Sequence, residues 1–346
     1  MNKFAHINSV KTNIILFEGI RTNYIESIAM SDFNYQKISI KFKDSFSGKT
    51  IVSFGSILSS VYFMVFKYSK NHTIRTNVLF SYYYGIIKNV SPKAVISYSS
   101  INTPIFSILA KSLPSINFLA LLTYQVREPS LLNLYPSSAH YYVWGEKDKN
   151  DLIKTGQVPE NISTIGSFMS GLYFSMKSSL IKNKKYDICI VAALKHVHEE
   201  TIDHNENILV SFISNYLSLH PMLSVCVAKR PESSIKSVKE LVDQRTQDCY
   251  SNGLNGHNVT FIENTTDNFG TYNAMDSSTV VIAQNSCAAF EALGWGHRVL
   301  FCQPTKLWFR PGKQDGIPDD LYYKITDDSQ EKFNKKLDEL FKISDK

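Results

Sequence analysis

SSTVVIAQNSCAAFEALGWGHRVLFCQ, residues 277–303, reads as strand, polar turn, helix, glycine turn and second strand. The strand is Thr279–Ala283, the turn Gln284, Asn285 and Ser286, the helix Cys287–Leu293, and the second strand Arg298–Cys302, entered through Gly294 and Gly296. Apolar runs of this kind suit parallel strands covered on both faces. Small polar residues where a strand meets a helix leave backbone N–H groups facing outward, and the helix dipole there favours an anion. Glu291 stands out, because its helix neighbours Phe290, Ala292 and Leu293 are apolar. A lone acid in such a setting suits a ligand hydroxyl, as acids serve nucleotide riboses in α/β folds.

Outward from this unit the same alternation continues. In the first half, Asn13–Phe17, Lys37–Phe42, Ala94–Tyr98, Ser115–Leu122, Tyr141–Trp144 and Ser163–Gly166 read as strands. Helical patterns fall at Arg21–Met30, Gly55–Tyr68, Thr76–Ile87, Pro104–Ser112 and Lys147–Thr155. Met169–Lys185 carries no strand pattern, ends in IKNKK and reads as a crossing linker. The pattern then restarts with strands at Tyr186–Ala192, Met222–Ala228 and Val259–Glu263, and helices at Asn205–Ser218, Ser233–Asp248 and Asn268–Asp276. An amphipathic helix closes the chain at Ser329–Lys342, with Phe333, Leu337 and Phe341 at helical spacing. Strands alternating with helices argue for parallel sheets covered on both faces. The expectation is two doubly wound domains, residues 1–175 and 183–346, facing a cleft. The loops after Ala192, Ala228, Glu263 and Ala283 would open into that cleft, since ligands sit at the carboxyl ends of parallel strands.

The totals bound the class. The chain has 346 residues, 43% of them hydrophobic and 20% charged, which describes a globular protein with room for two domains. The N-terminus has no secretory pattern, and no run reaches the roughly 20 apolar residues a bilayer requires. Ile51–Phe66 comes nearest but is broken by serines and a glycine, and reads as a buried helix. Five cysteines show neither metal-ligand spacing nor a disulfide framework, which fits a reducing cytoplasm. Charge is uneven: residues 1–150 carry 16 Lys and Arg against 7 Asp and Glu, and residues 151–346 carry 21 against 24, so the halves stand at +9 and −3. A basic first half interleaved with aromatics, as in Tyr62–Lys88, fits an anionic partner such as an acidic glycan or a membrane surface, or a solvated face over a tyrosine-rich core. No clustered-arginine helix, zinc spacing or ribonucleoprotein aromatic motif points to nucleic acid.

Several stretches carry a family resemblance: YYVWGEKDKNDLIKTG (141–156), ISTIGS (162–167), VCVAKRPE (225–232) and the run from Asn268 to Phe301. Together they resemble bacterial surface-carbohydrate biosynthesis proteins and the Kdo transferases of capsule and O-antigen assembly, which have the GT-B fold of two Rossmann-like domains. The resemblance covers about residues 140–345. It implies a sugar nucleotide on the C-terminal domain, with Asn285 and Ser286 on the donor phosphate and Glu291 on the ribose. Lys229 and Arg230 stand where those transferases carry a phosphate-contacting His-Pro pair; here the sequence is Lys-Arg-Pro, and the His220–Pro221 pair precedes the strand.

Glycosyl transfer must stabilise a leaving phosphate and activate an acceptor hydroxyl. Lys229, Arg230 and the Ser286 turn offer cations and oriented donors for the first task. The absence of an Asp-x-Asp motif fits a mechanism without a metal or other cofactor. The second task needs a carboxylate or histidine. LKHVHEETIDHN, residues 194–205, follows the first strand of the C-terminal domain and offers Glu199 or Asp203 as the catalytic acid, with Lys195 beside the sugar. The resemblance implies an essential acid in that loop. His196 and His198 raise zinc, but their spacing places them on one face only of a strand, and the stretch does not read as one. Gln125, Arg127 and Glu128 follow an N-terminal strand and suit an acceptor or donor carboxylate. Trp308, Phe309 and Arg310 suit stacking on a base or sugar, or packing on the last helix. Glu18 and Gly19 end the first strand, near an acceptor.

The expected function is transfer of a sugar from a nucleotide donor, of the CMP-Kdo or CMP-sialic acid type, to a glycan or lipid-linked acceptor. It would act in the cytoplasm, with the basic first domain touching the membrane periphery. The alternatives are a UDP- or GDP-hexose transferase, a sugar-nucleotide epimerase, and an inactive scaffold of the same fold.

Overall fold

The computed structural model describes residues 13–18, 35–39, 74–97, 104–121, 139–154, 156–177, 184–194, 200–229, 236–264, 269–284, 286–304 and 322–343. The helices expected at Arg21–Met30 and Gly55–Tyr68 lie outside these residues. The chain divides into two compact units, Met1–Leu172 and Tyr173–Lys346.

The N-terminal unit holds strands β1 (Ile14–Glu18), β2 (Tyr35–Ser39), β3 (Ala94–Ser97), β4 (Asn117–Leu121), β5 (His140–Val143) and β6 (Ile162–Thr164). Helices α1 (Ile74–Val90), α2 (Pro104–Ser112) and α3 (Glu146–Lys154) cover the sheet, and α4 (Phe168–Ser175) leads out of the unit. The strands lie in the order β2-β1-β3-β4-β5-β6, with every pairing parallel. One core joins Ile15, Val95, Phe118 and Tyr141 of the sheet to Phe80, Tyr83 and Ile87 of α1 and Phe106 and Leu109 of α2. Phe106 meets Phe118 edge-on at 5.3 Å, the arrangement that aromatic quadrupoles favour.

The C-terminal unit repeats the plan with strands β7 (Tyr186–Val191), β8 (Val225–Ala228), β9 (Val259–Ile262), β10 (Ser278–Ala283), β11 (Arg298–Cys302) and β12 (Tyr322–Ile325). Between and after them come α5 (Glu200–Leu219), α6 (Lys236–Gly253), α7 (Gly270–Asp276), α8 (Cys287–Gly294) and α9 (Gln330–Lys342). The order is β12-β11-β10-β7-β8-β9, again parallel throughout. This is the doubly wound order: the chain runs outward from β7 to β9, crosses back to β10 on the other side of β7, and runs outward again. Ile190, Val227, Val281, Ile282 and Leu300 are fully buried, the signature of strands covered on both faces.

Local chemistry explains the element ends. Ser286 caps α8, its Oγ accepting from the Ala288 N–H at 3.2 Å. At the other end Gly296 takes φ +88, a left-handed value that glycine adopts without strain. Its N–H donates to the Leu293 carbonyl and the His297 N–H to the Ala292 carbonyl, both at 3.0 Å, so two helix-end acceptors are satisfied. Ser329 caps α9, its Oγ accepting from the Lys332 N–H at 3.2 Å. Phe333, Leu337 and Leu340 bury against β10, β11 and α5, while Phe341 is half-buried at the margin of that core.

The segment expected as a bare linker contains the helix α4, and its last turn belongs to the C-terminal unit. Tyr173 stacks on Trp295 at 5.4 Å and donates to Asp276 Oδ2 at 3.1 Å. Lys177 pairs with the same oxygen at 2.9 Å. Asp276 is fully buried, and burial together with its charge pushes the Tyr173 phenol well above its ordinary pKa. Among the described residues no helix is long and apolar enough to cross a membrane.

Candidate functional site

The crossing from β9 back to β10 makes a topological switch point between β7 and β10, where a doubly wound sheet opens a crevice at its carboxyl edge. In the paired register Ala283 stands opposite Val191, so the two chain exits, at Ala192 and at Gln284, leave side by side. The second exit runs directly into α8. Its Oγ bond to Ala288 holds Ser286 at the helix N-terminus, where N–H groups and dipole favour an anion. Ser286 itself is half-buried.

Glu291 lies one turn further along α8 and is 6% exposed. Its Oε2 accepts from the Tyr272 hydroxyl of α7 at 2.6 Å. A charge-assisted bond of this length fixes the carboxylate and lessens the cost of its burial. Glu291 is thus an oriented acid within the helix that carries the anion-favouring end.

The deepest polar feature at this edge is one the sequence reading passed over. Glu206 of α5 is fully buried. One carboxylate oxygen accepts from the Ala193 N–H at 3.0 Å and from the Tyr250 hydroxyl at 2.6 Å. The other accepts from the Gln284 side-chain amide, which also donates to the Ile202 carbonyl at 3.1 Å. Gln303, after β11, donates its own amide to the Gln284 carbonyl at 2.7 Å. One buried carboxylate therefore ties the exit of β7 to the exit of β10, and Gln303 extends the tie to β11. The signal was in the sequence. With the helix starting at Glu200, Ile202, Glu206, Leu209 and Ile213 form one buried stripe at spacings of four, three and four. Starting the helix at Asn205 hid the acid's place on that stripe.

The other expected residues fall as follows. Lys229, at the end of β8, is 8% exposed and pairs with Glu263 at the end of β9, Nζ to Oε1 at 2.5 Å. Asp203 lies inside α5, not in a loop, and accepts from Arg245 of α6 at 2.8 Å. That ion pair braces two helices. Gln125, Arg127, Glu128, Lys195, His196, His198, Glu199, Arg230, Asn285, Trp308, Phe309, Arg310 and Gly19 lie outside the described residues. Ser286 is the N-cap of α8 and Glu291 lies inside that helix, while Lys229 stands two strands away on the same edge as Ser286. Among the described residues no group of three or more His, Cys, Asp or Glu is placed to hold a metal ion.

No protein-family model matches the chain, and no curated protein matches it significantly. Solved structures do match. A glycosyltransferase from Rickettsia africae aligns over 99% of this chain and 89% of its own, with TM-score 0.55 and 13% identity. The UDP-GlcNAc 2-epimerase of Methanocaldococcus jannaschii, in complex with UDP-GlcNAc and UDP, aligns over 96% and 92%, with TM-score 0.53 and 12% identity. The lipopolysaccharide outer core galactosyltransferase WaaB aligns over 94% and 89%, with TM-score 0.53 and 13% identity. At such identities the shared property is architecture: the chain has two parallel-sheet α/β domains and matches proteins of the GT-B fold.

Proposed function

We propose that this protein is an enzyme acting on a nucleotide-activated sugar, and that its C-terminal unit grips a uridine diphosphate at the β10–α8 turn. The observation that carries the reading is the conjunction at that turn. A capped helix N-terminus at Ser286 sits at the switch point, with the buried, oriented carboxylate of Glu291 in the same helix. The turn suits the diphosphate and the acid suits the ribose hydroxyls. Asn285 would add a donor to the phosphate.

Within this reading we favour UDP over a CMP-activated keto-acid donor. The sequence lacks the His-Pro pair that the resemblance asks for after β8 and carries Lys229 in its place. Similarity to a structure holding UDP supports the same choice. Lys229 then serves as a cation that exchanges Glu263 for the pyrophosphate as the donor enters, with Arg230 beside it. Glu199 is our choice for the carboxylate that takes the proton from the acceptor hydroxyl, because Asp203 is committed to Arg245. Lys195, Gln125 and Arg127 would contact the sugar or acceptor, a glycan or lipid-linked glycan received by the basic N-terminal unit.

A second reading, epimerisation at C2 of a UDP-sugar without any acceptor, is favoured by the match to the M. jannaschii epimerase. One incubation separates the two. UDP-GlcNAc alone, followed by sugar analysis, gives the C2 epimer if the protein is an epimerase. It gives unchanged donor or slow hydrolysis to UDP if a transferase is waiting for its acceptor. A protein that neither binds UDP by calorimetry nor consumes the donor would be a scaffold, and the enzyme reading would be withdrawn.

A further inference from the structure

We propose that Glu206 is a positioning residue for the nucleotide site: a buried carboxylate clamp that holds the chain exits of β7 and β10 in the spacing the donor needs. The inference rests on the nucleotide-binding reading above and adds a residue that no sequence motif marks.

Donor count and topology carry the argument. Glu206 is 0% exposed, and donors from three different segments converge on it among the described residues. They are the Ala193 N–H just past β7, the Tyr250 hydroxyl of α6, and the Gln284 side-chain amide just past β10. A buried charge is tolerated only when paired or fully hydrogen-bonded. Here the partners are the two exits that flank the switch point, where a small displacement changes how a helix N-terminus meets a ligand. Geometry also fixes the amide assignment. Gln284 must present its NH2 to the carboxylate and to the Ile202 carbonyl, which leaves its Oε1 without a hydrogen-bond partner among the described residues. Gln303 presents its NH2 to the Gln284 carbonyl, and its Oε1 is likewise unmatched. The network joins the two exits to each other through side chains of α5 and of the β10 exit.

Two substitutions separate positioning from ordinary support. Tyr250→Phe removes one bond to Glu206 but touches neither exit. Glu206→Gln keeps the shape but has one acceptor oxygen where the carboxylate has two, so its NH2 must face either the Ala193 N–H or the Gln284 amide and the tie between the exits breaks. Hydrogen exchange on the full chain, read in peptides containing Ala193 and Ala288, is compared with UDP affinity by calorimetry. The expected result for Glu206→Gln is exchange at least tenfold faster in both peptides and UDP binding at least tenfold weaker. Tyr250→Phe lowers the melting temperature but leaves exchange in both peptides and UDP affinity within about twofold of the parent. If Glu206→Gln fails to fold, Gln284→Leu cuts the same tie from the β10 side and should show the same pattern. Parental exchange in both peptides would overturn the clamp, as would affinity losses that merely track stability across the variants. The exchange comparison needs no ligand. A parent protein that binds no UDP therefore defeats the nucleotide reading, whereas unchanged exchange defeats this one.

Discussion

Glu206 and Glu291 are both buried acids of the C-terminal unit, and the sequence made only Glu291 conspicuous. Glu291 is ringed by apolar neighbours within its short helix, so its oddity is legible without coordinates. Glu206 lies at the start of a long helix among polar residues, and only the helix register reveals that it points inward. The partner of Glu291 was equally hidden, because Tyr272 stands nineteen positions earlier on another helix. Tyr272→Phe should cost about 1–3 kcal/mol, since it leaves a buried carboxylate oxygen short of a donor; urea unfolding measures it. Glu291→Ala should abolish the stabilisation that UDP confers, and an unchanged ligand effect would place the ribose contact elsewhere. Lys229→Ala should weaken UDP binding about tenfold and reduce its salt dependence, because a cation is lost from an anion site.

At the scale of elements, most strands of the C-terminal unit were readable because each centres on a short apolar run between polar turns. The edge strand β12, Tyr322–Ile325, was not. YYKI is short, contains a lysine and lies on the margin of the sheet, where burial does not impose a pattern. The helix α4 escaped notice for a related reason: FMSGLYFS is eight residues long and apolar nearly all round, so no periodicity betrays it. Helix ends are where local substitutions should act. Gly296→Ala forces a side chain into the left-handed region and should destabilise the protein by about 1–2 kcal/mol. Ser286→Ala removes a cap worth about 1 kcal/mol and also weakens UDP binding, whereas Gly296→Ala spares binding. Asp203 offers a sharper contrast. If its task is bracing α5 against α6, Asp203→Asn and Arg245→Gln should lower stability alike and leave turnover of the folded protein intact. A selective loss of turnover in Asp203→Asn would restore it as the catalytic acid.

Across the whole molecule, the C-terminal unit concentrates groups that resist losing protons. Burial, with the charges of Glu206 and Asp203, pushes the Cys249 thiol from 9.0 to about 12. Burial and Glu206 raise the Tyr250 phenol well above its ordinary value, and burial raises Cys302 and, helped by Asp338, Tyr216. In the unfolded chain these thiols and phenols release protons from about pH 8.5 and 10. Between about pH 9 and 12 the folded state therefore binds more protons than the unfolded one, and stability must fall as pH rises. The melting temperature should drop across pH 9–11, and Cys249→Ser with Tyr250→Phe should flatten that slope. The two-unit plan was legible from the strand–helix alternation and its restart after residue 185. The clamp was not, because it depends on three segments that meet only in the folded sheet.

The most direct test of the central claim is titration calorimetry of the full chain with UDP, run beside CMP, GDP and CDP. The account predicts that UDP binds one site per chain and outcompetes the other three, and that Glu291→Ala removes the heat of binding. Binding of CMP with none of UDP, or UDP binding that survives intact in Glu291→Ala, would contradict it.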